Sequence, residues 1–283
     1  MATPNKPLPR TTGLVGEEEL VALNPDHPGF RDPVYRQRRN DIAKLALEYQ
    51  VGQPVPLVDY SVSEQEVWRT VRQNLDPLHL QFACGEYLEC ARLLQLSPDR
   101  IPQLREVNQK LAPLTGFSMI PVAGLVTDRS FLSSLGSGLF LSTQYMRHTS
   151  TPLYTPEPDI VHELIGHAAT FAHPGFAAVN RAFGRAVDKM SDATVQRAAR
   201  VYWFTMEFGL VREQGKVRAF GAGLLSSFGE LGTCTVETDQ RRFDPDRMAE
   251  HVYDPTQYQK VLYVADSFDA MVREVTHWVE AQR

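Results

Sequence analysis

The sequence predicts a mostly α (α+β) fold, a single large domain of many helices carrying short β elements. Apolar residues recur at helical spacing in segments separated by short proline turns. One stretch, residues 116–126, is apolar and nearly uncharged around Pro121, which predicts strand or extended chain. Of 283 residues, 43% are hydrophobic and 22% charged, an ordinary globular balance that supports a substantial core.

Residues 1–23, with Pro4, Pro7 and Pro9 among small polar side chains, are expected to form a flexible N-terminal arm, and residues 24–283 the folded domain. A proline-punctuated loop from Asn24 to Pro33 leads into a helix over Val34–Gln50, where Ile42, Leu45, Ala46 and Tyr49 recur at helical spacing. Ser63 before Glu64 and Glu66 has the pattern of a helix cap followed by acidic residues that complement the helix dipole. After Pro77 another helix is expected over Leu78–Leu96, and Ser97-Pro98 restarts a further short element through Pro102. Residues 131–145, rich in Ser and Gly, predict extended chain and tight turns.

Thr155 is the expected cap of the next helix, with Pro156 in its first position, where the missing N–H costs nothing. A helix from about Asp192 to Leu210, capped by Ser191 or Asp192, carries Glu207. The last helix, Asp266 to about Glu280, shows Phe268, Met271, Val272, Val275 and Val279 at helical intervals.

Charge and cysteine usage exclude several classes. A net charge of -5 gives no general attraction to phosphate backbones, so no nucleic-acid partner is expected. No stretch approaches about 18 consecutive apolar residues, so no membrane span is expected. Cys84, Cys90 and Cys234 form no Cys-x-x-Cys pair, and an odd count argues against a secreted disulfide framework. A cytoplasmic protein with small buried thiols is the expectation.

The chemistry concentrates in His162-Glu163-Leu164-Ile165-Gly166-His167. A zinc-protease motif needs its second His four residues after the first; here it is five away. In a regular helix that spacing separates the side chains by about 140°. Convergence therefore requires local unwinding, which Gly166 permits. Glu207 lies in an aromatic segment, Val201 to Leu210, where a lone buried carboxylate is costly unless a cation compensates it. Two His and one carboxylate with open positions point to non-haem Fe(II) and oxygen chemistry rather than to a closed structural zinc. Gly221 to Gly229 resembles a nucleotide loop but has Ser226 where the third glycine would fall, so it predicts a close-packed turn or a close ligand contact.

Tyr154 to His167, Tyr202 to Leu210 and Phe220 to Glu230 resemble the catalytic domain of the pterin-dependent aromatic amino acid hydroxylases. So do Asp26-His27-Pro28-Gly29-Phe30, Ile101-Pro102-Gln103-Leu104 and Pro121-Val122-Ala123-Gly124-Leu125, and the similarity covers roughly residues 24–280. The resemblance implies an iron site of His162, His167 and Glu207 within a 24–283 catalytic domain, and a tetrahydrobiopterin or related tetrahydropterin cosubstrate. It implies pterin contacts from Leu125, Val126, Phe131, Glu163 and Tyr202, with Phe131 stacking and the last two acting through water. It assigns Arg147 to the substrate carboxylate with Thr155 and Ser226 assisting, and Pro158, Trp203 and Phe208 to the cage around the substrate ring.

Ala168-Ala169 replaces the Val-Pro common in animal members, and Leu141 stands where they carry His. Their regulatory domain and tetramerisation tail have no counterpart here, which predicts a monomer. Trp203 resembles the phenylalanine and tyrosine enzymes more than the tryptophan enzymes, and Pro255 replaces an acidic residue of the tyrosine enzymes. The expected reaction is hydroxylation of L-phenylalanine to L-tyrosine with Fe(II) and O2. The alternatives are tyrosine or tryptophan hydroxylation, a catalytically silent metal or amino-acid binding protein, or a zinc hydrolase using Glu163 as base.

Overall fold

Asp32 starts the first helix, α1 (Pro33–Glu48), by accepting the Val34 and Tyr35 N–H groups. The structure is a computed structural model that describes residues 20–283, so most of the expected arm lies outside the described residues. At their start, the Leu20 and Val21 N–H groups donate to Asn40 Oδ1 of α1.

Helix α2 (Val62–Phe82) begins on Ser61 rather than Ser63. Both serines have a Glu three residues on, but the Glu64 carboxylate closes the reciprocal cap with Ser61 while also held by Arg38 at 2.9 Å, whereas Glu66 turns to Arg69. Nor does Pro77 end α2, because a proline removes a single N–H and neighbouring turns tolerate it. The break comes at Ala83, where the Cys84 N–H donates to the Ala219 carbonyl at 2.9 Å. Helix α3 (Gly85–Leu94) follows. The expected element at residues 97–102 is irregular, since the Leu96 and Ser97 carbonyls accept the Arg72 and Trp68 side chains instead. The chain next becomes helical in α4 (Leu104–Thr115), a helix with no counterpart among the expected elements.

Strand β1 (Ser118–Pro121) falls inside the expected extended stretch and pairs in parallel with β2 (Leu139–Ser142). Between them α5 (Asp128–Gly136), capped by Thr127, replaces the first part of the predicted extended segment; its buried Leu132 and Leu135 have helical spacing that the surrounding Ser and Gly obscured. After the metal-site segment come α6 (Ala169–Phe171), α7 (Pro174–Val187) and α8 (Asp192–Tyr202), the last capped by Ser191. Helices α5 and α7 touch so closely that a Cβ at Gly184 would strike the backbone of Gly136.

The remaining elements are β3 (Leu210–Glu213), β4 (Lys216–Ala219), α9 (Ala222–Ser226), α10 (Phe228–Leu231), β5 (Asp239–Arg242), α11 (Pro245–Glu250), β6 (Val261–Ala265) and α12 (Phe268–Glu280). Their strands form a sheet ordered β4-β3-β6-β5, antiparallel between β3 and β4 and otherwise parallel. Apolar burial joins both halves of the chain, and Phe117 and Phe140 contact Phe171 at 4.5 and 5.0 Å between ring centroids. The three cysteines are buried thiols. Among the described residues no helix is long and apolar enough to cross a membrane.

Candidate metal centre

The metal-site helix starts later than expected, because Thr155 and Glu157 each precede a proline and are steered away from helical backbone angles. Thr155 Oγ1 donates to the Glu157 carbonyl, and Asp159 takes the capping role, its Oδ1 accepting the His162 N–H at 3.3 Å. From His162 to Ala168 the helix widens into a π-turn. Hydrogen bonds from i to i+5 bring residues five apart onto one face, so the wide spacing that misaligns two histidines in an α-helix aligns them here. Their Nε2 atoms lie 2.9 Å apart.

Gly166 lies within this widened turn and also has a packing role. Its φ is not in the left-handed region, and a Cβ there would lie 2.7 Å from the Ala222 carbonyl oxygen. The glycine admits α9 against the π-turn. A second π-turn, Trp203–Glu207, ends α8 and delivers Glu207, with Oε1 3.0 Å from His167 Nε2 and Oε2 3.5 Å from His162 Nε2.

This donor set fits a divalent transition metal. Ligands about 2.1 Å from one ion and at right angles sit about 3.0 Å apart, close to the observed 2.9, 3.0 and 3.5 Å. The tautomer of His162 agrees. Ser226 Oγ donates to the Ala222 carbonyl at 2.8 Å, so toward His162 Nδ1 at 2.9 Å it accepts, leaving the Nε2 lone pair for a cation. Glu163 also comes close, since it, His162 and His167 offer atoms within 4.8 Å of one another. Its Oε1, however, already accepts the Thr143 N–H and hydroxyl at 2.9 and 2.8 Å. The Glu207 carboxylate instead faces the two histidines themselves, taking a hydrogen bond from His167, and is the better third ligand.

Burial lowers the His162 pKa to about 4, keeping the ring neutral and able to ligate. For His167 burial acts in the same direction, but Glu207 outweighs it and the pKa is raised. Burial would raise Glu207, yet His167 holds it below the ordinary carboxylate value. Burial pushes Glu163 up to about 7.

Above the triad opens a cavity of about 460 Å³ whose lining includes His162, Glu207, Phe131, Tyr202, Arg147, Thr155, Pro158, Trp203, Phe208 and Ser226. Leu125 stands on its rim, 68% exposed, whereas Val126, Glu163 and His167 are not on the lining. Tyr202 turns its hydroxyl away to Asn180 Oδ1 at 2.9 Å, and its ring meets Phe131 nearly at right angles. The Ser226 hydroxyl is engaged with His162. Arg147 is not a free cation: its Nε and Nη2 each lie 2.8 Å from an Asp159 carboxylate oxygen, and its backbone N–H donates to the same group at 2.9 Å.

Four further residues shape this site. Asp159 was detectable, standing three residues before His162 in a capping position. Thr143, Tyr253 and Gln259 reach the site through long-range contacts that leave no local pattern. Trp203 stacks on Tyr253 at 4.1 Å and donates its indole N–H to Gln259.

A family profile described as biopterin-dependent aromatic amino acid hydroxylase matches residues 14–283. The chain is 44% identical to a tyrosine 3-monooxygenase of Drosophila melanogaster over 262 residues, covering 91% of this chain and 45% of that protein. It is 43% identical to a phenylalanine-4-hydroxylase of Bos taurus over 263 residues, 90% of this chain and 58% of that one. The chain thus spans about half the length of the curated relatives it matches. Among solved structures, a Chromobacterium violaceum phenylalanine hydroxylase with bound iron(III) and oxidised 7,8-dihydrobiopterin superposes with a TM-score of 0.77 at 30% identity, covering 85% of this chain and 91% of that chain. A phenylalanine hydroxylase from Legionella pneumophila gives 0.74 at 31% identity, covering 80% and 91%. With nearly its whole length matched, the chain belongs to the biopterin-dependent aromatic amino acid hydroxylase family.

Proposed function

We propose that the chain is a monooxygenase that hydroxylates the ring of a free aromatic L-amino acid, L-phenylalanine to L-tyrosine, using Fe(II), O2 and tetrahydrobiopterin or a related tetrahydropterin. The observation that carries this reading is the convergence of His162, His167 and Glu207 beside an aromatic-walled cavity that His162, Glu207 and the buried Arg147 line.

Iron and the reduced pterin supply the activation of dioxygen. The protein binds, orients and excludes water. Asp159 takes the Nε N–H and one Nη2 N–H of the Arg147 guanidinium, so the donors left for a substrate carboxylate are the second Nη2 N–H and those of Nη1, which also reaches the Pro152 carbonyl at 3.4 Å. Trp203, Phe208 and Pro158 form apolar walls for the ring. Phe131, packed nearly perpendicular to the rings of Tyr202 and Phe140 and lying on the cavity lining, offers a ring on which a pterin can stack. The Thr143 hydrogen bonds hold Glu163 aside from the cavity, which disfavours a hydrolase using it as base. Curated relatives of both the tyrosine and phenylalanine kinds lie at similar identity. Similarity to bacterial phenylalanine hydroxylases over 85% of the chain supports phenylalanine.

The test is product analysis of the iron-loaded protein offered Phe, Tyr and Trp with one common tetrahydropterin. Tyrosine from phenylalanine should dominate and vanish in His162→Ala. Preferential turnover of Tyr or Trp would reassign the substrate; tight Phe binding without oxygen uptake would establish a silent binding protein.

A further inference from the structure

Gln259 joins three parts of the cavity wall. Its Oε1 accepts the Trp203 indole N–H at 3.1 Å, its Nε2 donates to the Asp254 and Gln257 carbonyls at 3.0 and 2.7 Å, and its backbone N–H donates to Glu230 Oε1 at 2.9 Å. The orientation of the side-chain amide is forced, because an indole N–H only donates and carbonyls only accept. Trp203 is held on two further sides, parallel to Tyr253 at 4.1 Å and tilted against Phe208 at 4.6 Å. Tyr253, Pro255, Thr256 and Gln257, from the loop that Gln259 gathers, also line the cavity.

We propose that Gln259 is a positioning residue that sets ring selectivity, clasping the 253–258 loop onto Trp203 and so fixing the width of the aromatic slot. The inference rests on reading the cavity as an aromatic amino acid site. An indole has two side-chain torsions, and the Tyr253 stack and the Gln259 hydrogen bond together fix both. Removing the amide leaves the indole N–H and two loop carbonyls without partners, so both walls of the slot gain freedom. The metal ligands sit on the π-turns and keep their places. A looser slot discriminates less between rings of different size. The Glu230 contact anchors the clasp to α10, four residues beyond the Ser226 that orients His162.

The test compares wild type, Gln259→Leu, Trp203→Phe and the double variant as iron-loaded full chains. In Gln259→Leu, the preference in kcat/KM for Phe over Trp should fall about tenfold, mostly through KM. Acrylamide quenching should rise even without amino acid. That signal reports Trp203, because Trp68 is 0% exposed and Trp278 7%. In the Trp203→Phe background the same substitution should alter selectivity less than about twofold, since the indole N–H is gone. Equal effects in both backgrounds, or unchanged quenching, would overturn the proposal. Should Gln259→Leu not fold, Gln259→Glu keeps the indole acceptor but turns the donor into an acceptor; selectivity should then fall while Trp203 stays protected, and unchanged selectivity would overturn the clasp. Absence of turnover by wild type on any aromatic amino acid would sink the functional reading and the selectivity with it. An active wild type whose selectivity survives Gln259→Leu would sink the clasp alone.

Discussion

Replacing Asp159 should weaken the fold and the site together, and two variants separate the causes. Asp159 is completely buried, and Arg147 beside it is 3% exposed. Removing one member of a buried ion pair leaves an uncompensated charge and costs about 3–5 kcal/mol. Asp159 also caps the helix of His162, a contact worth about 1 kcal/mol. Asp159→Ala loses both, about 4–6 kcal/mol. Asp159→Asn loses the charge but keeps an acceptor for the His162 N–H. At about 2–4 °C per kcal/mol for a domain of this size, Asp159→Ala should unfold roughly 10–20 °C below wild type, with Asp159→Asn a few degrees above it.

Thermal unfolding by calorimetry at neutral pH measures this. Losses under about 3 °C in both variants would show that Arg147 finds solvent or another partner, refuting the account of a preorganised guanidinium. The pH dependence has a definite sign. Burial alone would raise the Asp159 pKa, but Arg147 holds it below the ordinary value. The stabilising contribution is therefore complete above the unfolded carboxylate value of about 4 and fades as pH falls through the lower folded value.

Three further outcomes follow from the metal centre. Gly166→Ala drives a methyl into the Ala222 carbonyl, and should cost about 1–3 kcal/mol in denaturant unfolding and weaken metal binding; an unchanged midpoint would refute close packing as the role of this glycine. Ser226→Ala removes the acceptor that fixes the His162 tautomer and should weaken Fe(II) or Co(II) binding about 10–100-fold by competitive titration, with unaltered affinity contradicting that role. Binding of either ion should strengthen by up to about tenfold per pH unit until the raised His167 pKa is passed and then level off, because the His167 proton must leave. A flat titration from pH 5.5 to 8, by visible absorption of the Co(II) form, would contradict a proton shared between His167 and Glu207.

What the sequence discloses about this protein divides along physical lines. Segments with long apolar periodicity, such as the one carrying Ile42 and the one carrying Phe268 and Met271, are readable because a single buried face dictates them. Pro77 misleads, since the lost N–H is one bond among many in a 21-residue helix. Helix α5 is hidden because two buried leucines, Leu132 and Leu135, carry its pattern amid small polar residues.

At the site, the five-residue spacing of His162 and His167 already implies an unwound turn, and the π-turn is the form that unwinding takes. The reason for Gly166 is invisible locally, because the atom it makes room for belongs to Ala222. The Arg147–Asp159 pair and the Gln259 contacts arise from tertiary placement in the same way. Thr155, by contrast, had the right residue type for a cap, and the two following X-Pro steps displaced that role to Asp159.

Anomalous diffraction at the iron edge from crystals of the Fe(II)-loaded protein tests the centre of this account most directly. The prediction is one iron bound by Nε2 of His162, Nε2 of His167 and the Glu207 carboxylate, facing the aromatic cavity. Iron held by Glu163 in place of Glu207, or bound away from these histidines, would contradict it.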